Sequence, residues 1–575
     1  MKMGLVSKMN IQGIGASSGI GLGQAFVYES SDIEIIEDSL LSLEEEMCLF
    51  TKAIESASDD IKNLYERAKI RLGEKDAGVF QAHLMFLEDP EFTSGIEALI
   101  ESGKTSTFAV KNVSDMLIAM FSSMDDDYMK ERASDIKDVS DRLINILLGV
   151  NASLDSFESP VIIVAEDLTP SMTVTLDPKM VLAFITRVGG KTSHSAIMAR
   201  NMGIPAVVGL GDISDIESGS VLIVNGDTGQ VTLSPTSSEL DDAETLRKDY
   251  LIKQNMLQAF VGKETMTQDK KRIELVCNIG SDKDIPLVQS NDGEGVGLFR
   301  SEFLYMDQES MPSEETQFKA YKAVVESISG PVIIRTLDVG GDKDIPYIKL
   351  DEEMNPFLGV RAVRLCLKDS QLFQPQLCAL LRASVYGHLK IMFPMVSSLE
   401  EVHLIKAELE KAKETLRKRG DSYDSNVEIG IMIEIPSAAL MADMFAKEVD
   451  FFSIGTNDLV QYTTATDRIN QNVSHLYSHY HPAVLRLIKF VAEAGGRENI
   501  MVGMCGEAAS DPLLIPFLIG AGLNELSVSP YKVLATRSHI STLTYEKCKE
   551  YSKEIMNLST ASQVRDYLET VALNQ

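Results

Sequence analysis

The spacing of apolar positions changes several times along the chain, and each change marks a different kind of element. From about Leu40 to Leu148 apolar residues recur every three and four positions, as at Leu84 and Leu87 and again at Ile96, Leu99 and Ile100, which predicts helices throughout. Asp89-Pro90 interrupts that run. Proline suits the first position of a helix, so Leu87-Glu88-Asp89 reads as the connection of a helical hairpin. Short apolar runs of strand length follow at Pro160–Val164, Val181–Thr186, Ala206–Gly209, Val221–Gly226 and Gln230–Leu233, and they predict a compact α/β unit. After the first of them, Asp167-Leu168-Thr169-Pro170-Ser171 has the composition of a turn that caps a helix. Residues from about 238 to 261 are charged and helix-forming with little apolar periodicity, as expected of a connector between mobile bodies.

From about residue 270 short apolar runs alternate with longer helical stretches. The runs centre on Val276, Val296, Ile333, Ile391, Ile431, Phe452, Val502 and Val528. Eight such βα units predict a closed β/α barrel, whose chemistry belongs at the C-terminal ends of its strands.

Composition narrows the function without choosing it. At 575 residues the chain is too long for one core, and three or four domains are expected. A formal net charge of -31 and a pI near 4.7 argue against nucleic acid and anionic membrane, and allow a basic protein partner. No apolar run approaches the roughly 18 residues of a membrane span, and Leu5-Val6 is too short for a signal-peptide core, so a soluble, cytoplasmic protein is expected. The six cysteines, at 48, 277, 366, 378, 505 and 548, are scattered without a Cys-x-x-Cys pair, which points to reduced thiols and to neither a disulfide frame nor a zinc site.

Gly15-Ala16-Ser17-Ser18-Gly19-Ile20-Gly21-Leu22-Gly23 has the glycine pattern of a dinucleotide fingerprint, which opens the reading of an NAD-dependent oxidoreductase. Its surroundings oppose that. Asn10–Ile14 is a poor buried strand, Gln24–Tyr28 reads as another strand rather than a helix opening, and no Tyr-x-x-x-Lys pair stands where dehydrogenase chemistry needs one. A hairpin-like glycine-rich turn is expected instead.

The second glycine stretch carries more chemistry. In Gly189-Gly190-Lys191-Thr192-Ser193-His194-Ser195-Ala196 the glycine pair permits a sharp turn and Thr192 and Ser193 suit a helix cap, so His194 falls in or beside the first turn of a helix. Unpaired N–H groups and dipole density there would stabilise a phosphoryl group on the imidazole, which is also a competent nucleophile near neutral pH. The predicted barrel rim adds a matching set. Arg300 and Arg335, at the ends of strands two and three, suit phosphate or carboxylate. Glu434 and Asp458, from strands five and six, suit Mg²⁺ beside them, and Cys505 at the end of strand seven suits a proton donor.

Taken together these stretches resemble phosphoenolpyruvate-protein phosphotransferase, enzyme I of the bacterial sugar phosphotransferase system. Gly189–Arg200 is similar to its phosphohistidine signature, Asp450–Leu459 to its barrel signature, and Gly297–Leu304 and Asn355–Arg361 match as well. The resemblance implies a multidomain α/β and α protein. A helical HPr-docking domain (29–145) is inserted in an α/β phosphohistidine domain (1–28 and 146–236), and a connector helix (237–261) leads to a C-terminal (β/α)8 barrel (262–575) that binds phosphoenolpyruvate and dimerises. It implies His194 as phosphoryl acceptor with Thr173 as a hydroxyl neighbour. Arg300 and Arg335 would grip the substrate phosphate, Lys343, Arg361 and Arg468 would complete the positive rim, and Asn457 would add a polar contact. Glu434 and Asp458 would hold Mg²⁺, and Cys505 would protonate the enolate to give pyruvate. Glu74, His83, Met85, Phe86, Glu91 and Arg132 occupy positions of the interface for the carrier HPr. Lys75 stands where some relatives have an acid, and Val360 replaces a bulky aromatic residue. One histidine cannot serve both the barrel mouth and the helical surface from one pose, so a His domain that swivels on the connector is expected. A catalytically silent scaffold that only binds HPr is the remaining alternative. Related dikinases and synthases need a nucleotide-grasping domain, for which the chain has neither room nor a P-loop.

Overall fold

The computed structural model describes residues 9–28, 35–71, 78–122, 127–149, 157, 159–169, 171–172, 176–190, 193–306, 310–341, 345, 347–348, 353–468, 470 and 472–573. The chain divides into two compact units, Met1–Gln254 and Asn255–Gln575. None of the described helices is long and apolar enough to cross a membrane.

The first unit is built on one sheet of eight strands: β1 Met9–Gln12, β2 Ile14–Ser17, β3 Ile20–Tyr28, β4 Val161–Ala165, β5 Val181–Thr186, β6 Ala206–Val208, β7 Val221–Asn225 and β8 Gln230–Leu233, in the order β1-β8-β7-β3-β4-β5-β6-β2. Successive residues of its central strands face opposite sides. Ile163, Ala165 and Phe184 enter one apolar cluster and Ile162, Val164, Ala183 and Ile185 the other, the period-two alternation of a strand covered on both faces. β3 and β4 are parallel neighbours with Tyr28 opposite Ala165. Between them in sequence lie α1 Leu43–Arg71, α2 Gly78–Leu87, α3 Pro90–Glu101, α4 Ser106–Ser122 and α5 Asp127–Leu148. The helical domain is therefore an insertion between two adjacent strands of one sheet. It has its own core, including Phe50, Ile61, Phe80, Phe92, Ile96 and Leu143. The expected hairpin connection is present: Asp89 caps α3 by accepting from the Glu91 N–H at 2.7 Å, with Pro90 at the first helical position.

The glycine stretch at 15–23 is not a hairpin. Its turn joins β2 to β3, which sit apart in the sheet, β2 paired with β6 and β3 with β4 and β7. A Cβ on Gly21 would stand 2.5 Å from that of Ala183, and one on Gly23 would stand 2.3 Å from Leu182 Cδ1, so these glycines answer close packing. A strand follows the turn where a dinucleotide fingerprint needs a helix.

The second unit is a closed barrel of eight parallel strands in chain order: β9 Glu274–Ile279, β10 Val296–Arg300, β11 Val332–Arg335, β12 Leu389–Phe393, β13 Glu428–Ile433, β14 Phe451–Ile454, β15 Met501–Met504 and β16 Glu525–Val528. All eight coincide with the runs expected from the sequence. β16 closes on β9, with Glu525 opposite Glu274. Alternation holds here too. Val332 and Ile334 pack in the cluster shared with the surrounding helices, whereas Ile333, Leu298, Met392, Met432 and Phe451 form a second cluster with Cys505, on the inner side. The helix α7 Ser237–Gln258 carries the chain from the first unit into the second.

At the N-terminal end of the barrel, Glu525 is fully buried and neither carboxylate oxygen has a hydrogen-bond partner among the described residues. Burial first, and then Glu274, push its carboxyl up to about 8 against the opposing pull of Lys390. The folded state therefore keeps a proton that the unfolded chain releases near its ordinary range. The resulting penalty is absent below about pH 4.5 and grows as the pH rises towards 8. Glu525→Gln should leave barrel stability unchanged at pH 4.5 and raise it at pH 8, by up to on the order of 4 kcal/mol, in denaturant titrations at the two pH values.

Candidate active site

His194 occupies the first position of α6 His194–Met202. Ser193 is the N-cap in extended conformation, its hydroxyl accepting from the Ala196 N–H at 3.4 Å and donating to the Gly190 carbonyl at 2.9 Å. Gly203 ends the helix at φ 66°, as its position after the apolar run predicts. Arg200 donates to the Ala16 carbonyl at 2.9 Å, tying α6 to β2. Thr173, like Lys191 and Thr192, lies outside the described residues.

At the barrel mouth the predicted arginines do not stand alone. Arg335 is 5% exposed and bonds Glu302 at 2.5 Å and Asp338 at 2.9 Å. Asp338 in turn receives Arg361, at 3.1 and 3.3 Å, and Arg361 reaches Asp458 at 3.3 Å and the Tyr462 hydroxyl at 3.3 Å. Two guanidinium groups and three carboxylates thus alternate in a buried chain. Burial works against the charge of Arg335, but Glu302 and Asp338 outweigh it and hold the group above its ordinary range. For Arg361 burial is likewise overcome, by Asp338 and Asp458. Arg300 ends β10 half-buried. Lys343 lies outside the described residues.

Glu434 follows β13 and is 1% exposed. Its Oε1 accepts from the Met395 N–H at 2.6 Å, while Oε2 is buried with no hydrogen-bond partner among the described residues. Burial, then Asp458 and Asp338, push this carboxyl up to about 8, against Arg361 and Arg335. A buried carboxyl held protonated by burial and by the charge of a second carboxyl fits a hard divalent cation, which would take the place of the proton. Among the described residues no three potential ligands cluster, so a cation at this rim would complete its shell with oxygens from substrate and water.

Cys505 lies just past β15, buried, with Sγ 3.8 Å from the Ile454 carbonyl. Burial pushes its thiol up to about 11, with Ser453 and Arg335 opposing, so the thiol keeps its proton at neutral pH. Gly506 is obligatory beside it, because a Cβ there would lie 1.7 Å from Thr456 Oγ1 and 2.7 Å from the Thr456 nitrogen. Asn457 joins the same rim. Its Oδ1 accepts from the Glu507 N–H at 3.4 Å, and its carbonyl accepts from the Tyr477 hydroxyl at 3.2 Å. Arg468 follows on the loop after helix Thr456–Thr464, near Tyr477.

On the inserted helices, Met85 is 74% exposed, Glu91 is exposed and Phe86 is half-buried against Phe92, with ring centroids 4.5 Å apart. His83 is buried, with Nε2 3.4 Å from Asp135 Oδ1, so it braces the surface from beneath. Arg132 lies in α5, and Glu74 and Lys75 fall outside the described residues.

Glu302, Asp338 and Tyr462 were not singled out from the sequence. Asp338 stands three residues after Arg335, and Tyr462 one helical turn after Asp458; these local signals mark those two, while Glu302 has none.

Three family models match the chain: the N-terminal domain of PEP-utilising enzymes over residues 12–132, their mobile domain over 157–229, and their PEP-binding domain over 254–545. A phosphoenolpyruvate-protein phosphotransferase of Priestia megaterium is 46% identical over 97% of this chain and 98% of its own length, and that of Bacillus subtilis is 46% identical over 96% and 98%. A solution structure of an Enzyme I protein, nEIt, is 40% identical and covers 42% of this chain and 99% of its own, with a TM-score of 0.36. By this similarity along nearly its whole length, the chain belongs to the phosphoenolpyruvate-protein phosphotransferase family.

Proposed function

We propose that this chain takes the phosphoryl group of phosphoenolpyruvate onto His194, passes it to a histidine of the carrier protein HPr and releases pyruvate, the first step of a sugar phosphotransferase system in the cytoplasm. The observation that carries the reading is the buried alternation of Glu302, Arg335, Asp338, Arg361 and Asp458 at the rim that also holds Glu434 and Cys505. It supports a preorganised receptor for a small, highly charged anion.

Arg300 and Arg335 grip the phosphate, Lys343, Arg361 and Arg468 extend the positive rim, and Asn457 adds a polar contact. Glu434 and Asp458 would hold Mg²⁺, which neutralises charge on phosphoryl and carboxylate oxygens when bound. The His194 imidazole attacks phosphorus as the bond from phosphorus to the enol oxygen breaks. The electron pair left on the enolate forms a C–H bond at its terminal carbon with the Cys505 proton, and the thiolate regains a proton from solvent. HPr docks on the inserted helices at Met85, Phe86, Glu91 and Arg132, with Glu74 alongside and His83 beneath. The acidic chain suits a basic carrier. The phosphohistidine domain swivels on α7 between loading and unloading, and the barrel makes a homodimer. Scattering that showed one rigid arrangement with and without phosphoenolpyruvate would remove the swivel.

Intact mass after mixing with phosphoenolpyruvate and Mg²⁺ should show one acid-labile phosphoryl group on the wild type and none on His194→Ala or in EDTA. A label retained by His194→Ala would overturn the acceptor assignment. Glu434→Gln should slow loading by roughly 100-fold or more in rapid-quench assays. At pH 8, iodoacetamide should modify Cys505 roughly 100-fold more slowly than an ordinary thiol of pKa near 8.5, read by peptide mass mapping.

A further inference from the structure

The pairing of β15 with β16 is short: Gly503 faces Glu525, Met504 faces Leu526, and there the ladder stops. Cys505 is the next residue. Its N–H is still held from the other side, donating to the Ile454 carbonyl of β14 at 3.1 Å. Its carbonyl lies past the end of the ladder and needs another donor.

That donor is a side chain from a strand that is not a neighbour of β15. Asn278 of β9 donates from Nδ2 to the Cys505 carbonyl at 3.1 Å and to the Ser527 carbonyl of β16 at 3.2 Å, and its Oδ1 accepts from the Ser527 hydroxyl at 2.7 Å. One amide therefore spans three strands with both donor hydrogens and its acceptor engaged. The peptide after Cys505 is fixed on one side by Asn278 and on the other by the contact of Gly506 with Thr456. A thiol that must deliver its proton to one carbon needs its backbone held to a fraction of an ångström.

We propose that Asn278 is a positioning residue for proton delivery by Cys505, fixing the Cys505 peptide where the β15–β16 ladder ends. The inference rests on the reading of Cys505 as the proton donor to the enolate. Asn278 acts through the Cys505 carbonyl. Its loss lets the thiol drift from the enolate carbon, so enolpyruvate leaves the enzyme unprotonated and becomes pyruvate in solution.

The test uses the full-length protein with phosphoenolpyruvate, Mg²⁺ and HPr, and follows the fraction of product released as enolpyruvate by rapid-mixing NMR. Loading of His194 is measured in parallel. Asn278→Ala should slow protonation on the enzyme by roughly tenfold to 100-fold, with loading within about twofold of wild type. Asn278→Asp keeps the shape and the Ser527 contact but loses donation to the two carbonyls, and it should behave in the same way should the alanine variant not fold. Ser527→Ala leaves both carbonyl contacts in place and should protonate like wild type. Wild-type protonation in a folded Asn278 variant would overturn the proposal, as would an equal loss in Ser527→Ala, which would make Asn278 a brace of the barrel seam alone. Cys505→Ala separates the two readings. If that variant protonates normally, the assignment of the donor fails; if it loses protonation while the Asn278 variants keep it, only the positioning role fails.

Discussion

Two guanidinium groups buried side by side at the mouth of a barrel are tolerable only if carboxylates stand between and around them. Removing such charges from water costs several kcal/mol each, and the loss of one partner leaves an uncompensated charge. Glu302, Asp338 and Asp458 meet that demand for Arg335 and Arg361, and much of the rim follows. Asp338 is shared by both arginines, so the turn after β11 is fixed against the segment that carries Arg361. Asp458 is drawn to Arg361, which sets the start of helix Thr456–Thr464 opposite Glu434. These shared ion pairs hold the polar mouth in one arrangement, and a site so fixed needs little reorganisation during a reaction.

The architecture was largely legible in the sequence because its periodicities are strong. All eight barrel strands lie where apolar runs of strand length alternate with helical stretches, and Pro90 and Gly203 mark helix ends by backbone rules that hold without tertiary context. The glycines at 21 and 23 were a different matter. Their reason is the approach of Leu182 and Ala183 from β5, a contact between segments far apart in the chain that no local pattern records.

The candidate site was legible as residue types and not as a network. Arg300, Arg335, Glu434, Asp458 and Cys505 could be placed at strand ends by counting. That Arg361 reaches both Asp338 and Asp458, or that Glu434 leans on the Met395 N–H, depends on how strands shear around the barrel. His83 illustrates the same limit from the other side. The family resemblance places it at the carrier interface, but the turn of α2 carries it inward to Asp135.

The insertion of the helical domain between β3 and β4 also sets an order of assembly. β3 finds its partners in β4 and β7, both made only after the whole bundle. At about 5–20 residues per second of synthesis, β1 to β3 wait on the order of ten seconds with open backbone edges. The whole helical domain is made in that interval. The helices, rich in local contacts, fold while the sheet cannot, so the nascent chain passes through a stage with a completed bundle and exposed strands. That stage is the one at which a chaperone or a neighbouring nascent chain meets unpaired β-edges.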